Sequence, residues 1–378
     1  MKAIKYFLII INLFLILTVP ISGTNIRVLL KKTSSSRYIT SNKGMIIYDS
    51  TWKKGVKVIA FRKAKVSYSR RKIEVYVNGK TYRESGLIFK PKSGGNIHFN
   101  GKYYRGVLMI IPESENDRFW VINILDIESY LKGVLAEEIP HSWHIEALKA
   151  QAIAARTYAY EKVLNNSSKS KYDVCSTDMS QVYGGVSSER TSTTKAVNET
   201  KNYILTYKKR PIAAFFHSTC GGSTDDAEYV WGKKFSYLRR TTCKYCSKSP
   251  HSQWTYTISL KELSRRLLNK GYDIGYIKRI KMLGKTNGGR IKKIEIKGSK
   301  KTITLNSNNF RIIVGARYLK STRFSAKLYR NNIKFTGSGF GHGIGLCQWG
   351  AKGMAEKGYK YQSILKFYYK NVRISKIK

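Results

Sequence analysis

The chain has 378 residues, 42% of them hydrophobic, enough to bury one large core or two smaller ones, and this composition excludes a disordered or collagenous protein. A count of 70 Lys and Arg against 23 Asp and Glu gives a net charge of +47, which favours a polyanionic partner: nucleic acid, anionic lipid or an acidic cell-wall polymer. The lysines are scattered, so a merely solvated basic surface is the competing reading, and no zinc-finger, helix-turn-helix or RNP-type motif argues for nucleic acid.

At the N-terminus, Lys2 and Lys5 precede an apolar run from Phe7 to Val19 that ends at Pro20, Ser22 and Gly23. This is the layout of a secretory signal peptide over residues 1–23. An uncleaved anchor is the alternative and would be the only membrane contact, although the run falls short of the roughly 18 residues of a spanning helix. Either way the remainder is expected outside the cytoplasm, in the envelope or secreted, where a wall polymer is a better partner than nucleic acid.

Residues 24–120 read as a β-rich N-terminal module, because NIRVLL, KVIAF, KIEVYV and VLMII are short β-branched runs, with hairpin turns at Asn78-Gly79 and Asn100-Gly101. Residues 121–378 form the second expected region, an α+β arrangement of a central helix and antiparallel sheet. The first strong helix is expected to start at His141 or Ser142, after Pro140, with Ser142 as N-cap. Ile145, Leu148, Ala152, Ala155, Ala159 and Val163 make one apolar stripe along it, and its alanines admit close neighbours. Further helices are expected at Ser188 to Asn202, Leu260 to Lys270, Leu346 to Lys357 and Tyr361 to Tyr369. Strands are expected at Tyr203 to Phe216 and Arg279 to Leu305, with a turn at Asn287-Gly288-Gly289.

Two adjacent acids, Glu137 and Glu138, stand out in so basic a chain. Placed before a helix N-terminus, Glu138 is either a charge-dipole cap or, if walled in by Val134, Leu135, Ile139 and Trp143, a carboxyl with a raised pKa suited to donating a proton. The residues alone leave both open.

Five segments then carry a resemblance: GVLAEEIPHSWHIEALKAQAIAARTYAY (133–160), QVYGG (181–185), FFHSTCGGSTDDAEYVWG (215–232), YLR (237–239) and GSGFGHGIGLCQWGAKGMA (337–355). In this order they resemble the SpoIID/LytB family, that is, stage II sporulation protein D and the amidase enhancer. The resemblance implies a peptidoglycan lytic transglycosylase acting on glycan strands, with Glu138 as its acid. Glu138 would protonate the oxygen between N-acetylmuramic acid and N-acetylglucosamine, then accept the proton of the muramic 6-hydroxyl as a 1,6-anhydro ring closes. The runner-up that the family also implies is a non-catalytic enhancer that binds the wall and stimulates a partner amidase.

The resemblance also implies supporting residues. Arg156 matches the arginine of the family's A-A-R-T motif, as a substrate contact or an internal ion pair, and Gln151 lies on the same helix. Ser218 and Thr219 would hold sugar hydroxyls, Arg239 an anionic lactyl group. His342 is placed in or beside the cleft, or is simply a packed, hydrogen-bonded histidine. Seven glycines in the seventeen residues from Gly337 to Gly353 allow close backbone approach, while no P-loop Lys-Ser/Thr pair follows.

The five cysteines are Cys175, Cys220, Cys243, Cys246 and Cys347, an odd count that cannot fully pair. Cys243-x2-Cys246, then His251, with the remote Cys220, supplies a tetrahedral zinc set of three thiolates and one imidazole; a Cys243 to Cys246 disulfide is the competing reading. Some relatives hold zinc through a C-x4-H-C pattern, but counting on from Cys175 this chain has Ser180 and Gln181 there. Cys175 and Cys347 are left as buried thiols. No cofactor is needed for the expected chemistry.

Overall fold

A computed structural model describes residues 24–50, 61–113, 116–166 and 170–377, so the signal-peptide segment lies outside the described residues. The fold is α+β, dominated by antiparallel sheet, and divides into two compact units. Among the described residues, the first holds those up to Asp126 together with those between Asn165 and Cys175, and the second holds those of Ile127–Leu164 and those from Ser176 on.

The first unit is one sheet. Its strands are β1 (Asn25–Thr33), β2 (Arg37–Asp49), β3 (Phe61–Ser69), β4 (Lys72–Val77), β5 (Lys80–Glu84), β6 (Leu87–Pro91), β7 (Ile97–Phe99), β8 (Lys102–Tyr104), β9 (Val107–Glu113), β10 (Arg118–Asp126) and β11 (Val174–Cys175). They run in the order β11-β1-β10-β9-β6-β2-β3-β4-β5, with the β7–β8 hairpin attached to β2. Alternation sets the faces: in β4, Ile73, Val75 and Val77 are buried while Lys72 and Tyr76 are exposed. The Asn-Gly turns are as expected, since Asn78 and Asn100 adopt φ of 48° and 50°, followed by Gly79 and Gly101 at 76° and 79°.

The second unit opens with a helix absent from the sequence-based expectation, α1 (Ile127–Glu138), which follows β10 without a break. Its buried Ile127, Tyr130, Leu131, Val134 and Leu135 fall at helical spacing, yet they merge in sequence with the apolar strand before them. The next helix, α2 (Ile145–Asn165), begins three or four residues later than expected: His144, not Ser142, caps it, with Nδ1 accepting the Glu146 N–H at 3.2 Å. Thirteen consecutive-turn residues from Glu146 to Ala159 are buried, so α2 is wrapped on all sides, as its alanine-rich stripe predicts.

Then follow α3 (Thr191–Glu199), β12 (Tyr203–Tyr207), β13 (Arg210–Pro211), β14 (Phe216–His217) and the single turn α4 (Glu228–Trp231). A subdomain with its own core around Leu263, Ile294, Phe310 and Phe335 comprises β15 (Trp254–Ser259), α5 (Leu260–Leu268), β16 (Ile277–Lys285), β17 (Ile291–Gly298), β18 (Thr302–Asn306), α6 (Ser307–Val314), β19 (Phe324–Tyr329) and β20 (Asn332–Gly337). The chain closes through β21 (Leu346–Cys347), α7 (Gln348–Glu356), α8 (Tyr361–Tyr368) and β22 (Arg373–Lys376). Short β14 pairs in parallel with β21, which joins the HSTC segment to the glycine-rich segment, and the main core packs α2 against β21, α7 and α8.

Candidate active site

Glu138 is the last residue of α1, not the residue before α2. The helix dipole therefore acts with the opposite sign to the sequence reading: the negative end of α1 opposes a charged carboxylate. The half-buried side chain accepts the Val182 N–H on Oε1 at 2.8 Å. Its pKa is pushed up to about 7, chiefly by burial; the Val182 hydrogen bond works against this, and the nearby Asp178 and Glu137 charges add to it. With Oε1 taken by an N–H donor, Oε2 is the oxygen left to carry the proton.

The QVYGG segment is built to present that N–H. Gln181 is fully buried between the two helices, its Oε1 accepting from Tyr130 Oη at 3.1 Å and its Nε2 donating to the Ala155 carbonyl at 3.3 Å. Gly184 N–H donates to the Gly133 carbonyl at 3.0 Å. Glycine is required at both contact points: a Cβ on Gly133 would lie 2.6 Å from the Tyr183 ring, and one on Gly184 would collide with Ser188 Oγ. Ser188 in turn donates to Glu137, which stays exposed.

The segment after Glu138 reaches the other predicted motifs through aromatic packing. Trp143 meets Trp349 of α7 edge-to-face at 5.1 Å, and the Trp349 N–H donates to the Ser218 carbonyl at 3.0 Å. Lys352 sits over the Trp349 ring at 5.1 Å. The α1–α2 loop, α7 and the HSTC strand thus form one connected set.

Several predicted contacts are internal instead. Arg156 has no exposed surface. Its Nε and Nη2 grip both oxygens of Glu128 at 2.8 Å, and further N–H groups reach the Tyr203 and Val197 carbonyls at 3.2 and 3.1 Å. It ties α1, α2, α3 and β12 together, and a substrate contact is ruled out by burial. Gln151 is likewise buried, its amide atoms unpartnered, and Thr219 is buried with its hydroxyl on Ser249 Oγ at 2.7 Å. These two are corrected for the same reason. Ser218 remains partly accessible, and Arg239 is exposed beside Asp226, 3.4 Å from Oδ1.

His342 takes the packed reading. Its Nε2–H donates to the Phe216 carbonyl at 2.9 Å and its Nδ1 accepts the Ile344 N–H at 3.1 Å. Burial first, then the Arg290 and Arg311 charges, push its pKa down to about 3, so it is a neutral imidazole with both nitrogens engaged. The ring belongs to an aromatic group with His217 at 5.4 Å and Trp231 at 5.1 Å, and Trp231 packs on Phe215 at 4.4 Å with the rings tilted by 36°. Trp231 is 41% exposed, a rigid apolar face of the kind that packs on a sugar ring. Its only signal in sequence was a tryptophan in the YVWG stretch. An open depression of about 540 Å³ also lies on α3, lined by Glu189, Arg190, Lys195 and Glu199 among others; it does not include Glu138, and the Lys149 hydrogen bond holds its Glu199 carboxyl below the usual range.

The sulfurs of Cys220, Cys243, Cys246 and Cys347 lie within 4.8 Å of one another, all four residues buried. This corrects the expected ligand set. His251 sits elsewhere, with Nδ1 3.2 Å from Lys320 Nζ and its ring against Phe340 at 4.8 Å. Cys347 takes its place because β21 runs beside the HSTC strand and ends at the N-cap of α7. Cys175 lies in the first unit, in β11.

Comparison with known proteins agrees with the family resemblance. A family profile described as Stage II sporulation protein matches residues 115–207, and a domain of unknown function matches residues 237–345. An uncharacterised protein of Brachyspira hyodysenteriae is 40% identical over 293 residues, 78% of this chain and 77% of its own. The Amidase enhancer of Bacillus subtilis is 33% identical across 77% of this chain, which spans 47% of that longer protein. Stage II sporulation protein D of the same organism is 35% identical over 268 residues, 66% of this chain and 75% of its own. With Glu138 presented by α1, the QVYGG segment locked beside it and these relatives aligned over about two thirds or more of this chain, the chain belongs to the stage II sporulation protein D (SpoIID/LytB) family.

Proposed function

We propose that this chain is an exported lytic transglycosylase that cleaves the MurNAc-GlcNAc bond of peptidoglycan glycan strands and leaves 1,6-anhydroMurNAc ends. The observation that carries the reading is the carboxyl of Glu138, half-buried and with its pKa raised to about 7, so that it is substantially protonated at neutral pH. Oε2–H donates to the glycosidic oxygen as the bond to C1 breaks. The carboxylate so formed takes the proton of the muramic 6-hydroxyl, and O6 closes on C1. Because the nucleophile is part of the substrate, one carboxyl suffices where ordinary glycoside hydrolysis uses two. The Val182 N–H steadies the carboxylate between the two proton transfers. The exposed face of Trp231 and the Ser218 hydroxyl are the groups we assign to sugar binding, and the basic surface to holding an anionic wall.

A second reading, a non-catalytic enhancer of a cell-wall amidase, is supported by the 33% identity to a protein of that name and by the internal engagement of Arg156 and His342. Both readings place the protein outside the cytoplasm, at the wall. The test incubates the purified chain with glycan strands stripped of stem peptides, alone and with a wall amidase on intact peptidoglycan. Anhydro-muramic ends from the chain alone support the enzyme; no cleavage alone but faster amidase turnover supports the enhancer.

A further inference from the structure

We propose that Cys220, Cys243, Cys246 and Cys347 form a closed structural zinc site of four thiolates, which clamps three remote segments of the second unit. Four sulfurs bound at about 2.3 Å from one zinc stand about 3.8 Å apart. The four sulfurs here fall within 4.8 Å of one another, with Cys220 and Cys246 at 3.4 Å, so small side-chain rotations complete the tetrahedron. All four thiols are free in the structure.

Two independent features of the surroundings point to a bound anionic cluster. The first is backbone N–H groups aimed at sulfur: Cys220 N–H and Gly350 N–H both donate to Cys347 Sγ, at 3.2 and 3.3 Å. Donors of this kind stabilise metal-bound thiolates. Tyr368 Oη adds a polar contact at 3.2 Å from Cys243 Sγ.

The second is Arg290, a guanidinium with 1% exposure. Its Nη2 donates to the Cys220 carbonyl at 2.9 Å, but Nε and Nη1 have no hydrogen-bond partner. A buried cation left short of partners is costly unless a negative charge lies close. Asp225 supplies one negative charge within electrostatic reach, and four neutral thiols add none. Zinc bound by four thiolates carries a net charge of −2, and Arg290 is within electrostatic reach of Cys220 and Cys347. The position is held tightly, because a Cβ on Gly343 would lie 2.2 Å from the guanidinium.

Binding replaces four S–H protons with one Zn²⁺ and releases the protons to solvent. With four protein ligands the site has no open position, so its role is structural. It fastens the end of the HSTC strand, the TTCKYC loop and the N-cap of α7, adding to the short β pairing, hydrogen bonds and apolar packing that already join them. The inference does not depend on the chemistry assigned to Glu138.

The test is metal analysis of the full chain purified without added metal, beside Cys347→Ser and His251→Ala. One zinc per chain in the wild type and in His251→Ala, with loss in Cys347→Ser, is the expected result. Replacement by cobalt should give intense sulfur-to-cobalt charge-transfer absorption in the wild type. A wild-type chain in which all five cysteines titrate as free thiols and no metal is found overturns the proposal. So do an intact mass showing disulfides among the four cysteines, iron in place of zinc, or zinc that survives Cys347→Ser and is lost in His251→Ala.

Discussion

Replacing Glu138 by Gln should make the protein more stable, and only at high pH. The carboxyl is lifted from 4.5 to about 7 in the folded state. Below pH 4.5 it is protonated both folded and unfolded and contributes nothing. Between 4.5 and 7 the unfolded chain ionises first, so the folded state binds more protons and loses stability as pH rises. Above 7 the loss levels off at about 3 kcal/mol, at about 1.4 kcal/mol for each pH unit between the two pKa values. Gln keeps an oxygen for the Val182 N–H but cannot ionise. At a urea slope of about 3 kcal/mol per M, the variant should unfold about 1 M later than wild type at pH 8, and within about 0.2 M of it at pH 4. Equal midpoints at pH 8, or the same gain at both pH values, would refute a raised Glu138 pKa. The substitution would then be read as ordinary repacking.

Asp178 is one of the charges that raise the Glu138 pKa, so Asp178→Asn should move the alkaline fall of glycan cleavage to lower pH while leaving the maximal rate nearly unchanged; an unmoved pH–rate profile contradicts this. Arg156→Met should cost about 3–5 kcal/mol by stranding the Glu128 carboxylate, measured by urea unfolding, and should leave the turnover of the folded fraction intact. A large drop in turnover with unchanged stability would return Arg156 to the substrate. His342 should show no ring titration by NMR between pH 5 and 8, and His342→Ala should cost about 1–3 kcal/mol by leaving the Phe216 carbonyl and the Ile344 N–H unpaired.

The local signals that proved readable were those with short-range causes. Asn-Gly pairs fixed hairpins, Ser259 capped α5 by accepting the Glu262 N–H, and the alanine stripe of α2 announced a central helix. Elements hidden by context were missed: α1 continues β10 with no polar break, and α6 begins at Asn306, whose capping role is invisible within a β-rich stretch. Glu138 was identified as the key carboxyl, yet the sign of its dipole contact was reversed, because that depends on which helix owns the residue. Arg156 and Cys347 show the same limit. Whether an arginine faces a ligand or a buried Glu128, and whether a cysteine joins a cluster formed by residues more than a hundred positions away, is decided by tertiary approach, which spacing along the chain does not encode.

The account rests on Glu138 as the proton donor in glycan cleavage. Wild-type protein and Glu138→Gln, each incubated with peptidoglycan stripped of stem peptides and analysed by mass spectrometry, test this most directly. Anhydro-muramic ends from the wild type, reduced at least a hundredfold in the variant as expected for loss of a general acid, are the predicted result. Equal yields from both proteins, or none from the wild type, would contradict it.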